Sequence, residues 1–144
     1  MSTTRSLESI APIVDRLQRC PPSLVEWTIS EDQHGLRLNV QPHNDGLCSF
    51  YIEFGPEEVY GLSFGHGLHF ENVSVLEFDP VGVAGAIMDG QVAETIWLLF
   101  GHLRVKTKGV ISLKDGRALY DTDYVFPFLS GLAREKQIQY RAYP

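Results

Sequence analysis

The chain has 144 residues, 44% hydrophobic and 21% charged, with a formal net charge of -6 and two cysteines. A chain of this length buries roughly 68–70% of the surface its unfolded form exposes, so an ordinary apolar core suffices and neither a disulfide framework nor a structural metal is needed. The balance of apolar and charged residues excludes a disordered chain, the negative charge disfavours nucleic-acid backbones, and the longest apolar-and-glycine run, Val81 to Met88, is far too short to span a membrane.

One domain over residues 1–144 is expected. Cys20 and Cys48 read as two reduced, buried thiols. The opening Met1-Ser-Thr-Thr-Arg-Ser has no apolar secretory segment, so cytoplasm is the expected compartment.

Leu7, Ile10, Ala11, Val14 and Leu17 recur at helical spacing and predict a helix from about Ser9, its N-cap, to about Cys20. Pro12 fits only in the first turn, and Pro21-Pro22 stops the helix. Strands follow at Leu24–Glu31, Leu36–Gln41, Cys48–Phe54, Val59–Phe64 and Val73–Phe78. Turns at Gln33-His34-Gly35, Pro42–Gly46 and Gly55-Pro56 separate the first four.

Asp79-Pro80 starts a second helix, reaching about Met88 with Gly90 past its end. Gly82 and Gly85 weaken this helix, and close packing against the sheet would account for them. Gln91–Phe100 could continue the helix past Gly90, but its β-formers favour a strand. Gly101-His102 turns it into Leu103–Thr107, with Val110–Leu113 beyond. Lys114-Asp115-Gly116-Arg117 is a hairpin signal, read as a type I′ turn. Ala118–Asp121 returns as a strand, Phe126–Glu135 as a short helix and Gln137–Tyr143 as a last strand. The fold class is therefore α+β: mainly antiparallel sheet with an N-terminal helix, a short middle helix and a short C-terminal helix.

Charge is distributed unevenly. From Leu38 to Leu103 there is no Lys or Arg, while Asp45, Glu53, Glu57, Glu58, Glu71, Glu77, Asp79, Asp89 and Glu94 lie within that stretch, most of them in or beside turns where exposure is expected. Arg104, Lys106 and Lys108 follow, and on a strand they project from one face. Such a field steers a basic partner. A small acidic protein-interaction domain is the first functional expectation, in the concrete form of an immunity- or inhibitor-type protein covering a basic protein partner. Glu53, Glu57, Glu58, Glu71 and Glu77 supply attraction, and Tyr51, Tyr60 or Trp97 serve as anchors.

The alternative expectation is a small enzyme or ligand- or metal-binding domain using His66, His69 and Glu71, a two-histidine, one-carboxylate set on a glycine-rich segment. No GxSxG, HExxH or P-loop occurs, and nothing calls for a cofactor. A homodimer formed through an exposed strand is a third expectation.

Overall fold

The computed structural model describes residues 7–33 and 35–144; His34, in the first expected turn, lies outside the described residues. Two antiparallel sheets carry the fold. The first is a five-stranded meander of β1 (Val25–Asp32), β2 (Gly35–Pro42), β3 (Phe50–Phe54), β4 (Val59–Phe64) and β5 (Leu68–Ser74), each strand paired with the next in chain order. The second has four strands in the order β8-β7-β6-β9, built from β6 (Val92–Leu99), β7 (Leu103–Ser112), β8 (Ala118–Tyr124) and β9 (Arg134–Gln139).

Helix α1 (Ala11–Gln18) precedes the first sheet, and helix α2 (Pro80–Met88) links the two sheets. A 3-10 helix, Pro127–Leu132, crosses from β8 to β9. The α+β class read from the sequence is the architecture observed. No helix among the described residues is long and apolar enough to cross a membrane.

The period-two pattern of the strands decides the core. Leu36, Leu38 and Val40 of β2, Phe50, Ile52 and Phe54 of β3, and Tyr60, Leu62 and Phe64 of β4 all turn inward. They meet Ile10, Ile13 and Leu17 from the α1 region, Val83, Ala84, Ile87 and Met88 of α2, and Val92, Ile111 and Leu119 of the second sheet in one continuous cluster. The chain end closes it: Tyr143 donates its N–H to the Met88 carbonyl at 2.6 Å and its hydroxyl to the Cys48 carbonyl. Both cysteines are free and buried.

The structure departs from the expected elements at six places, one being the last strand, which runs Arg134–Gln139 rather than Gln137–Tyr143 because residues 134–139 pair with β6. α1 is capped at Ile10, whose side chain makes no cap hydrogen bond, rather than at Ser9, which itself lies in the helical turn at residues 7–9. The expected strand Val73–Phe78 is displaced. β5 begins at Leu68, bulges opposite Tyr60/Leu62 with Asn72 at φ 52, and ends at Ser74, whose carbonyl accepts the N–H groups of Glu77 and Phe78 in a turn.

Gly82 and Gly85 meet no atom within 4 Å at the position of a Cβ, so they do not mediate close packing. They open onto a groove of about 420 Å³ between α1, α2 and the β7–β8 turn. The Lys114–Arg117 turn has a single positive-φ residue, Gly116 at 89°. It closes through Leu113 N–H to Arg117 O at 2.9 Å and Gly116 N–H to Leu113 O at 3.1 Å, a three-residue loop ending in a glycine bulge rather than a two-residue type I′ turn. Lastly, the expected strands Leu103–Thr107 and Val110–Leu113 are one strand, β7. It runs through Gly109, where a Cβ would overlap the Leu68 side chain of the other sheet.

Candidate functional site

Three chain reversals meet at one end of the five-stranded sheet. β1 ends in Glu31-Asp32, β3 carries Glu53 one residue before its end, and the β3–β4 connection holds Glu57 and Glu58. The turn after β5 contributes Glu77, and Val75 N–H donates to the Glu58 carbonyl at 2.9 Å, which binds that turn to the β3–β4 connection. Gly35, at the start of β2, lies so close to the Phe54 carbonyl that a Cβ could not fit, bringing the first hairpin tip against the end of β3.

Six carboxylates thus line one end of the sheet. Two arginines near them are already engaged. Arg37 pairs with Asp32 at 3.2 Å and Glu53 at 3.3 Å. Arg117 pairs with Asp115 at 2.7 Å and donates to the Glu77 carbonyl at 2.7 Å. Tyr51 stands on the same outer face, its hydroxyl 3.5 Å from Glu53; burial first, then the Glu53 charge, raises its pKa.

Glu57 and Glu58 have φ of 60° and 57°, two successive left-handed residues in the loop that Gly55 N–H closes on the Val59 carbonyl at 3.0 Å. Asn-Gly relaxes such a pair, and a residue with a Cβ costs roughly 1–2 kcal/mol in that region. Glu31 and Asp32 lie outside the lysine- and arginine-free stretch, so the charge pattern alone does not point to them. Only the hairpin register, Asp32 opposite Gly35, brings them to this end.

Other acids of that stretch are not part of this surface. Glu94 on β6 is fully buried, against the expectation of exposure. Its carboxylate accepts the Tyr140 hydroxyl on one oxygen. On the other it receives the His66 N–H at 3.2 Å and His66 Nδ1 at 3.1 Å. Gly65 is required beside it, since a Cβ there would overlap Glu94 Oε1. The hydrogen bond to Glu94 raises the pKa of His66, opposed by burial, which lowers it. Burial first, then Glu94, raises that of Tyr140. Asp89 pairs with Arg16 at 2.6 Å, and Asp45 lies at the far end of the sheet, in the β2–β3 connection.

Tyr60, expected as a surface anchor, is 1% exposed and donates to the Phe78 carbonyl at 2.7 Å; it belongs to the core. Trp97 is half-buried on the outer face of the second sheet, with Lys106 Nζ 4.4 Å from its ring centroid.

The two candidate metal-ligand histidines turn apart. His66 faces Glu94, whereas His69 sits on the outer face of β5 between Ser63 Oγ at 2.8 Å and Glu71 Oε1 at 3.3 Å. Among the described residues no group of three or more His, Cys, Asp or Glu side chains could hold a metal ion, so His66, His69 and Glu71 do not form one ligand set. Ser63 and His69 border a shallow depression of about 220 Å³, shared with Gln41, Ser49 and Tyr51.

The expected basic strip is also broken. β6 and β7 shift register between Trp97 and Leu98, so Arg104 leaves the face that holds Lys106 and Lys108. It turns inward to Asp123 at 2.8 Å and to Thr107 at 3.0 Å. No protein-family model, no curated protein and no solved structure matches the chain.

Proposed function

We propose that the chain is a small acidic protein-interaction domain of the cytoplasm, of the immunity or inhibitor type, whose anionic end covers a basic protein partner. Support comes from one observation above all. Glu31, Asp32, Glu53, Glu57, Glu58 and Glu77 converge on one end of a rigid sheet, where the two nearby arginines are already ion-paired. Carboxylates gathered in this way create a field that accelerates encounter with a cationic surface and repels phosphate backbones. The adjacent left-handed glutamates favour the same conclusion. Residues held in a costly conformation cluster at functional sites, and here the cost places two charges at the tip.

The test immobilises the full chain, captures its partner at low ionic strength and measures association at rising salt. The on-rate falls at least about tenfold as salt screens the field. Converting Glu31, Glu57 and Glu58 to Gln and Asp32 to Asn produces a similar fall at low salt. Association indifferent to both salt and these substitutions refutes the proposal.

A second reading, a domain that binds a small polar ligand, is favoured by the Ser63–His69–Glu71 chain of contacts beside the shallow depression. It predicts that ligand binding shifts the His69 ring resonances and is lost in His69→Ala.

A further inference from the structure

The second sheet ends in an apolar surface that none of the described residues covers. The β6–β7 tip presents Phe100, 87% exposed, and the crossover from β8 to β9 presents Phe128 at 79% and Leu132 at 76%. Tyr124, Val125, Phe126 and Leu103 add partly exposed side chains between them.

These residues form one patch because the backbone ties them together. The N–H groups of Val125 and Phe126 both donate to the Val105 carbonyl, at 2.9 and 3.1 Å, which pins the crossover onto β7. The crossover then delivers Arg134 opposite Leu98, two residues before Phe100. The Phe126 and Phe128 rings meet edge-on with centroids 6.5 Å apart. Phe100 has φ 55°, a left-handed conformation at an exposed tip.

We infer that this patch is the interface of a homodimer, a second copy of the chain packing on it about a two-fold axis. Size supports this occupant. At about 150–250 Å² per aromatic side chain, the exposed fractions amount to roughly 700 Å² of apolar surface per copy, close to the roughly 800 Å² each partner gives to a standard interface. Charge supports it as well. Two cations beside the patch are engaged: Arg104 with Asp123, and Lys106 over the rings of Trp97 and Tyr124. An apolar interface fits a homodimer better than a charge-steered encounter. Edge pairing through β9 is a poorer route to a dimer, since that edge carries Arg134, Glu135 and Lys136.

The patch and the anionic end lie on different sheets. The β7–β8 turn contacts the anionic end through Arg117 and Glu77, whereas the patch is at the opposite end of β7. A dimer of this kind therefore presents two anionic ends at once, and partner binding becomes bivalent.

Sedimentation equilibrium of the full chain at micromolar concentration tests the inference. The wild type shows twice the 16.2 kDa chain mass, and the dimer persists at high salt, where the anionic end loses its partner. The double variant Phe128→Asp with Leu132→Asp dissociates at least about 100-fold more readily, with an unchanged circular dichroism spectrum because both side chains are exposed. Phe100→Ser, at the β6–β7 tip of the same patch, weakens the dimer too. Glu57→Gln with Glu58→Gln dimerises normally, which separates this interface from the partner-binding end. A wild type that sediments as a monomer, or a Phe128→Asp, Leu132→Asp variant that keeps the doubled mass, overturns the inference.

Discussion

Glu94→Gln is the sharpest probe of how the two sheets are joined. The substitution keeps the size of the side chain, removes its charge and converts one acceptor oxygen into a donor. Three donors converge on the carboxylate: the Tyr140 hydroxyl on one oxygen, and the His66 N–H and Nδ1 on the other. If the amide nitrogen faces His66, two pairs of donors collide; if it faces Tyr140, the hydroxyl must reverse. Hydrogen bonds to a charged group are worth about 1.5–3 kcal/mol, and an orphaned buried donor costs about 1–3 kcal/mol. A net loss of about 2–4 kcal/mol follows, or a fall in Tm of roughly 5–15 °C for a domain of this size.

Urea denaturation measures the loss as a lower midpoint at constant m. The pH dependence gives a second readout. His66 has a folded pKa raised by Glu94 above its unfolded value, so its contribution is fully present below the unfolded pKa. That contribution is lost as pH rises through the folded value, and stability should decline across and above neutrality. Glu94→Gln should flatten this slope. A variant within about 0.5 kcal/mol of the wild type, with the same pH slope, would show that the buried carboxylate does not hold the sheets together.

Two further perturbations act on the backbone. Gly82→Ala and Gly85→Ala on α2 meet no atom within 4 Å and should each raise stability by up to about 1 kcal/mol, read as a higher Tm; Gly65→Ala, whose Cβ would overlap Glu94, should lower the urea midpoint instead. Glu57→Asn with Glu58→Gly relaxes the two left-handed residues and should raise stability by about 1–2 kcal/mol while slowing association with the basic partner; a stabilised variant with an unchanged on-rate would remove these glutamates from the interface.

What the sequence made legible was whatever depends on local period. The alternation of Leu36, Leu38 and Val40, and of Phe50, Ile52 and Phe54, is the burial seen, because a half-buried strand leaves no other arrangement. Asp79-Pro80 starts α2, with the Asp79 side chain accepting the Val81 N–H at 3.2 Å. The alternation of Val73–Phe78 misleads because the bulge at Asn72 and the turn on Ser74 depend on pairing with β4, which no local pattern records. Glu94 is illegible for a similar reason. Its partners, His66 and Tyr140, lie 28 and 46 residues away and meet it only when the sheets dock. The basic strip fails on one register shift, which turns Arg104 from a surface charge into a partner of Asp123.

Two of the connections that break local rules are strand-to-strand tips. Asn-Gly or Asp-Gly suits a turn with two left-handed residues, yet the β3–β4 turn holds Glu57-Glu58 and the β6–β7 tip begins with Phe100. Neither choice improves the fold: each places a side chain with a Cβ where glycine is favoured, and Phe100 leaves its ring in water. A chain that accepts such costs at exposed tips while filling its core with well-patterned aliphatic and aromatic residues has its surface fixed by something other than folding. The two tips also differ in chemistry, one anionic and one apolar, and they lie at opposite ends of their sheets. Long-range steering suits the first and close-packed contact the second. On the proposed reading, an assembly combining them would hold itself together at high salt while releasing its partner.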